Sequence, residues 1–122
     1  MIRLWLFVAG FGGAASVIAG AAAAHLADDP ATATLLRNGS TYGMIHAAAL
    51  LALIGVAQGR EPRRGPATFA GWFFAIGIVL FSLGQFAHVA TGIARFAYVV
   101  PIGGTAFILG WVCIAILAFR RR

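Results

Sequence analysis

Residues 97–119 read AYVVPIGGTAFILGWVCIAILAF, an uninterrupted run without a charged side chain. At about 1.5 Å per residue, a helix of this length crosses the roughly 30 Å hydrocarbon layer of a membrane. Towards the N-terminus, the same criterion finds three more spans at 67–90, 39–58 and 4–26. Membrane β-strands are excluded because they are about ten residues of alternating polarity. The sequence therefore predicts one all-α domain, residues 1–122, built as a bundle of four transmembrane helices with short loops.

Composition favours a membrane protein over a water-soluble domain. Of the 122 residues, 61% are hydrophobic and 10% are charged, and the mean hydropathy is +0.93. The net charge of +6 would indicate nucleic acid as the partner of a soluble domain. Here the arginines lie between long apolar runs, as they do in the loops of membrane proteins. We therefore expect a lipid bilayer, and no nucleic acid, as the partner of this charge.

The arginines are unevenly divided between the two ends of the predicted bundle. One end carries Arg37 and Arg95 together with Asp28 and Asp29. The opposite end carries the other seven arginines, and such an excess favours the cytoplasmic side of a membrane. The pattern predicts a multi-pass protein of a bacterial-type inner membrane with both termini in the cytoplasm. Anionic lipid headgroups on that side are the expected partners of its arginines, which are Arg3, Arg60, Arg63, Arg64, Arg120, Arg121 and Arg122.

Two prolines bear on where helices begin. Asp29 followed by Pro30 is typical of an N-cap with proline in the first turn. Residues 30–37 are therefore predicted to form either one or two helical turns at the membrane surface or an irregular loop. Pro101 lies shortly inside the fourth span, where a proline can begin a regular helix without losing a needed hydrogen bond. We expect the regular part of the fourth helix to begin there.

The N-terminal segment has one alternative interpretation. Arg3, an apolar run and the small residues 21–24 resemble a signal peptide with a cleavage site. The run at 4–26 is longer than the roughly 7–15 apolar residues of a usual signal peptide. Its length favours a retained transmembrane helix.

Small residues recur at helical spacing in all four spans. Gly12, Ser16 and Gly20 repeat every four residues on one face of the first helix, and Gly39 and Gly43 do so in the second. In lipid, apolar contact alone gives one helix little preference for another, so close backbone approach at small residues supplies much of the association. We expect these residues to be packing positions, as well as Gly77, Gly84, Gly103, Gly104 and Gly110 in the other two spans.

Three histidines, His25, His46 and His88, lie within the spans or at their ends. An ionisable group at membrane depth is costly and needs a reason. From the span limits, all three are expected in the outer half of the membrane, with His46 about 10 Å below the outer end of its helix. Other polar residues are expected at a similar depth, where they form a polar core around His46: Tyr42, Gln85, Ser82, Thr105 and Ser16.

Three interpretations of this polar core stay open. In the first, a neutral His46 is hydrogen-bonded by its neighbours and holds the bundle together. In the second, His25, His46 and His88 hold a metal ion or a haem, because imidazoles from different helices can bind iron, copper or zinc in a bundle core. In the third, His46, Tyr42 and Gln85 line a path for protons or a small solute. The spacing of these residues identifies no cofactor.

Several short motifs carry a family resemblance along nearly the whole chain. They are GAAAAH at 20–25, TYGMIHA at 41–47, AGW at 70–72, and PIGG at 101–104 followed by GW at 110–111. In their order and spacing they resemble the DUF423 family of small four-span membrane proteins, which is similar to the eukaryotic transmembrane protein 256. The resemblance implies a four-helix membrane fold and carries no established reaction.

The sequence contains none of the usual enzyme motifs. It has no Gly-rich phosphate loop, no nucleophile elbow and no paired carboxylates within a span, since its three acids, Asp28, Asp29 and Glu61, lie in predicted loops. We therefore expect a non-enzymatic accessory or scaffold protein that acts through lateral helix contacts with another membrane protein or a second copy. A metal- or haem-binding module is the first alternative, and a proton or solute path is the second.

Overall fold

Four helices make up the structure, a computed structural model that describes residues 1–58 and 65–119, without the side chains of residues 57 and 58. They are α1 (Ile2–His25), α2 (Pro30–Gln58), α3 (Pro66–Thr91) and α4 (Ala94–Ala118). Each is long and apolar enough to cross a membrane, and the described ranges contain no strand. The predicted all-α, four-helix class is confirmed.

Six of the arginines predicted to face anionic lipid lie outside the described residues: Arg60, Arg63, Arg64, Arg120, Arg121 and Arg122. The cytoplasmic position of both termini accordingly stays a prediction.

Successive helices run antiparallel and form two close pairs. α1 packs along α2, where Gly20 lies against Ser40, and α3 packs along α4, where Gly77 lies against Phe107. Contacts between α2 and α3 join the two pairs. The most apolar windows of these two inner helices are each 44% buried, against 28% in α1 and 22% in α4. The centre of the bundle is therefore the interface of α2 and α3, and α1 and α4 present most of their surface outwards.

α2 begins at Pro30, so residues 30–37 are helical and continuous with the second span. The alternative of an irregular loop is wrong. Asp29 caps the helix: its Oδ2 accepts a hydrogen bond from the Thr32 hydroxyl at 2.6 Å, and its Oδ1 accepts one from the Thr32 N–H at 2.9 Å. Both hydrogen bonds hold the pKa of the Asp29 carboxyl below its usual value, and the bond from the Thr32 hydroxyl has the larger effect. The cap satisfies a backbone donor that the helix itself leaves unpaired.

Replacing Asp29 with alanine is expected to loosen the first turn of α2, because the Thr32 N–H loses its acceptor. Acidification should loosen it in the native chain too. A carboxyl whose pKa is lowered on folding stabilises the fold fully above its ordinary value of 3.8, and this stabilisation is lost as the pH falls through the lower folded-state value. Hydrogen exchange at the amides of residues 31–33 measures both effects. Asp28→Ala is the control, and equal exchange in the two variants would contradict the cap.

α3 contains a π-helical segment, Ile78–Leu83, between the α-helical stretches Pro66–Gly77 and Gly84–Thr91. A π-helix bonds each residue to the fifth along the chain, so it holds more residues per turn and changes the direction of the side chains that follow it. The segment coincides with a close approach of α4, because a Cβ on Gly103 would collide with its backbone. Gly92 then ends α3 in the left-handed conformation, with a φ of 68° that glycine adopts at little cost.

Pro101 does not begin the fourth helix, contrary to expectation. α4 begins at Ala94, and Pro101 lies inside it. The proline lacks the N–H that would bond to the Ala97 carbonyl oxygen one turn earlier. The Thr105 hydroxyl donates to a different group, the Pro101 carbonyl oxygen, at 3.0 Å. Membrane helices tolerate such prolines where neighbouring helices and Ser or Thr side chains satisfy the freed backbone groups. The PIGG motif is therefore mid-helix sequence.

The small residues predicted to pack do lie against neighbouring helices. An ideal Cβ on Gly12 would stand 2.5 Å from the Ile78 side chain, and one on Gly39 would stand 2.5 Å from the Phe86 ring. Side chains of the adjoining helix thus rest directly on the glycine backbone. An ideal Cβ would also stand less than 3 Å from the nearest atom of a neighbouring helix at Gly20, Gly43, Gly77, Gly103 and Gly110. The corresponding distances are longer at Gly84 and Gly104.

Candidate functional site

His46 is buried between α2 and α4, with 4% of its surface exposed. Its Nδ1 lies 2.7 Å from the Tyr42 carbonyl oxygen, and its Nε2 lies 3.0 Å from Nε1 of Trp111. Because an indole N–H can only donate, Nε2 accepts from Trp111, and the imidazole proton lies on Nδ1 and is donated to Tyr42. Both ring nitrogens of a neutral His46 are satisfied in this way. The side chain also links α2 to α4.

Aromatic rings enclose this imidazole. The Phe107 ring stacks on it, with centroids 3.5 Å apart and planes 12° apart, and Phe74 approaches edge-on at 5.4 Å. The Tyr42 and Trp111 rings lie 6.2 and 6.0 Å away. Aromatic pairs of this kind add about 0.5–1.5 kcal/mol each beyond the burial of their area. His46, Tyr42, Phe74, Phe107 and Trp111 together form the aromatic cluster.

The aromatic cluster lies near the middle of the bundle, so His46 is further from the start of its helix than the roughly 10 Å predicted from a span that begins at residue 39. Phe107, which stacks on His46, is close to the midpoint of the 25-residue α4. α2 begins at Pro30 rather than at residue 39, which places His46 about 24 Å from the start of its helix. The additional turns of α2 account for the difference.

One turn before His46, three helical segments meet at Gly43. The Ser16 hydroxyl of α1 and the Ser82 hydroxyl of the π-helical segment both lie against Gly43, and Ser82 Oγ is 2.9 Å from the place that a Cβ would take. Ser16 and Ser82 are fully buried. Ser40, one turn earlier in α2, donates its hydroxyl to the Ser16 carbonyl oxygen at 2.6 Å. Ser16, Gly43 and Ser82 together are named the serine junction.

The polar core predicted around His46 is only partly assembled. Ser16 and Ser82 meet at the serine junction, and Gln85, three residues after Ser82, is 4% exposed. In the part of the chain that the structure describes, the hydrogen bonds of His46 run to Tyr42 and Trp111 instead. The serines therefore form a second polar site next to the aromatic cluster.

Thr105 does not belong to the polar core, and its predicted place there is wrong. It lies on the exposed side of α4, and its hydroxyl bonds within its own helix. It lines an outward-facing apolar groove of about 330 Å³ between α3 and α4. The sequence predicted its position along α4, but the direction in which its side chain points depends on the rotation of α4 about its own axis.

The three histidines are not brought to one place. His25 is exposed at the end of α1, and Nδ1 of His88 lies 3.1 Å from the Ile93 carbonyl oxygen. Within residues 1–58 and 65–119, no three His, Cys, Asp or Glu side chains group in a way that could hold a metal ion. The Nε2 of His46 already accepts from Trp111, so it offers no free lone pair to iron, copper or zinc. The described residues therefore do not form the predicted three-histidine metal site.

Two partners of His46, Trp111 and Phe107, were not predicted from the sequence. Trp111 carries a usable signal, because an indole N–H inside a membrane needs an acceptor. Its distance from the start of α4 nearly equals the distance of His46 from the start of α2. Phe107 lies four residues before Trp111 and therefore on the same helix face.

These features define a small helical membrane protein with a few polar side chains buried between its helices. The family model described as "Protein of unknown function (DUF423)" matches residues 19–104, a stretch that includes His46 and Ser82. The chain belongs to the DUF423 family. No solved structure matches it.

Bacterial relatives agree with this assignment. The chain is 38% identical to a UPF0382 membrane protein of Staphylococcus aureus over 81 residues. These residues span 66% of this chain and 64% of that relative. It is 35% identical over 83 residues to the UPF0382 membrane protein YwdK of Bacillus subtilis, covering 68% and 67% of the two chains. A UPF0382 membrane protein of Staphylococcus saprophyticus matches over 122 residues at 30% identity, covering 98% of this chain and 99% of the relative.

Proposed function

We propose that this chain is a non-enzymatic accessory or scaffold protein of the bacterial inner membrane, and that it acts by contacting another membrane helix through the outward face of α1. The observation that carries the proposal is the shape of that face around Gly10. A Cβ placed on Gly10 would meet nothing within 4 Å. This glycine therefore serves no contact within the bundle, unlike the glycines that pack α1 against α2 and α3.

Large apolar side chains flank this open position. Phe7 and Phe11 stack with centroids 5.9 Å apart and planes 13° apart, although they are 67% and 56% exposed. Ile18, further along the same face, is 70% exposed. Phenylalanine rings beside a glycine form a ridge and a hollow, which another helix can match in shape.

Small residues at this spacing are how membrane helices approach one another. Gly10 and the exposed Ala14 are one turn apart on the outward face of α1, which is the small-xxx-small pattern of transmembrane contacts. The partner expected from this chemistry is an apolar transmembrane helix, of a different membrane protein or of a second copy of the chain. An inner-membrane location is supported by the bacterial relatives named membrane proteins and by the arginine distribution.

The two alternatives from the sequence have less support. A metal or haem at His46 requires a free ring nitrogen, and both of its nitrogens are engaged. A proton path requires neighbours that both donate and accept, whereas His46 meets a backbone carbonyl and an indole N–H, which do only one of the two. To bind a ligand or a proton at Nε2, His46 would have to break its bond to Trp111. A scaffold role asks for no such change.

Site-directed photo-crosslinking in native membranes tests the proposal. A photoreactive residue at the exposed position 18 is expected to give a discrete crosslinked product, and Gly10→Leu is expected to abolish that product because its side chain fills the contact. Ala115→Leu adds the same kind of bulk to an exposed position on α4 and should leave the product unchanged. If the crosslinked product still forms in the Gly10→Leu variant, the proposal that α1 contacts its partner through this face is refuted. Substrate turnover by the purified chain would refute the non-enzymatic role.

A further inference from the structure

We propose that the serine junction binds an internal water molecule, held by the hydroxyls of Ser16 and Ser82 and by the side-chain carbonyl of Gln85. This site lies beside the aromatic cluster and does not depend on the contact face of α1. The bound water would join α1 to the π-helical segment of α3 across Gly43.

Ser16 Oγ and Ser82 Oγ at the serine junction are buried and have no hydrogen-bond partner among the described residues. The same is true of Gln85 Oε1, three residues after Ser82 in the chain. Both serines are 0% exposed, and Gln85 is 4% exposed. At membrane depth no bulk water reaches such atoms, and leaving each of them unpaired costs free energy. A small ligand that both donates and accepts hydrogen bonds would remove that cost.

Other hydroxyls in the helices show an arrangement that these two serines do not adopt. The hydroxyls of Thr34, Thr91 and Thr105 each donate to the carbonyl oxygen four residues earlier, at 2.8, 2.6 and 3.0 Å. This bond is the usual way for a hydroxyl inside a helix to be satisfied. Ser16 and Ser82 instead direct their hydroxyls at Gly43. Their side chains are thus aimed into the junction.

Water matches the geometry and the charge of this site. Ser82 Oγ is 2.9 Å from the place of a Cβ on Gly43, and Ser16 Oγ is nearer still, so both oxygens lie close to one point. A water molecule with O–H···O bonds of about 2.8 Å can reach both. Buried waters typically make about three hydrogen bonds to otherwise unsatisfied groups, and Gln85 Oε1, which is buried without a partner close in the chain to Ser82, is the acceptor proposed for the third. All three side chains are neutral, which favours water over an ion.

NMR of the full chain in lipid nanodiscs tests the site directly, by measuring how fast magnetisation passes from water to individual residues. Transfer to the Gly43 and Ser16 resonances is expected to be several times faster than transfer to Gly77 and Gly110, which lie against phenylalanine rings. In a Ser16→Ala, Ser82→Ala double variant the rate at Gly43 is expected to fall to that of Gly77. Ser40→Ala, which removes a direct hydrogen bond, should leave the rate at Gly43 unchanged.

Thermal unfolding of the single variants provides a second readout. If water bridges the two hydroxyls, Ser16→Ala and Ser82→Ala each lower the Tm, and the double variant lowers it by less than the sum of the two. If the hydroxyls are unpaired, alanine relieves a buried polar group and the Tm stays or rises, which overturns the proposal. A lowered Tm without fast water transfer at Gly43 also overturns it, because it indicates a direct bond between the hydroxyls.

Discussion

Gly103→Ala is expected to destabilise the bundle by roughly 1–3 kcal/mol, the usual cost of forcing an extra carbon into a packed interior. A Cβ at this position would collide with the backbone of Leu80 and Phe81. Backbone atoms of the π-helical segment cannot move aside as a flexible side chain could, so α4 would have to separate from α3. The midpoint of unfolding in a denaturing-detergent titration measures the loss.

The adjacent glycine provides a matched control for this variant. A Cβ on Gly104 would stand 3.5 Å from the Phe81 ring, which is an ordinary van der Waals distance. Gly104→Ala is therefore expected to be neutral, or to stabilise the helix by up to about 1 kcal/mol through its better helix propensity. Equal effects of the two variants would contradict the close approach of α4 to the π-helical segment.

His46→Ala is the second change with a large expected effect, a loss of about 3 kcal/mol or more. Removing the imidazole leaves a cavity between Phe107 and Phe74, and such cavities cost several kcal/mol when a buried ring is truncated to alanine. Trp111→Phe keeps a ring at its position and removes only the hydrogen bond to Nε2. We expect it to cost about 1 kcal/mol, the scale of hydrogen bonds between membrane helices.

Nitrogen NMR of His46 separates the hydrogen bond from the packing. In the native chain the imidazole proton is expected on Nδ1, with Nε2 showing the shift of an unprotonated, hydrogen-bonded nitrogen. In Trp111→Phe the Nε2 resonance should move while Nδ1 stays protonated. Trp72→Phe is the control, because among the described residues the ring of Trp72 pairs edge-on with that of Trp5 and with no ring of the aromatic cluster. A proton found on Nε2 in the native chain would contradict the assigned bond from Trp111.

The number and kind of helices could be predicted from the sequence because they depend on the length and apolar character of each segment. Residues 97–119 contain no charge, so they are suited to the hydrocarbon layer whatever their neighbours are. Packing glycines could be predicted for a related reason. Helical spacing puts Gly12, Ser16 and Gly20 on one face, and small residues on one face are where another helix comes close.

Helix starts were harder to predict, and their errors carried into the site. Asp29 and Pro30 indicated a helical start, but the sequence did not show that this turn continues into the second span. α2 begins about nine residues before the predicted second span, so His46 lies near the middle of its helix rather than close to one end. Thr105 was expected among the polar residues and lies on the exposed side of α4, because its predicted position along the helix did not specify the rotation of α4 about its axis.

By itself the sequence determined that this is a four-helix membrane protein with glycine-lined helix contacts, because both properties follow from one segment at a time. Only the tertiary structure decided which polar groups meet. Trp111 is 65 residues away from the His46 that it binds, and Ser16 and Ser82 come together at Gly43 from two other helices. Such meetings depend on the rotation and the axial position of each helix against its neighbours. The rotation and the axial position of a helix are set by all of its packing contacts together, and a local sequence pattern describes only a few of these contacts.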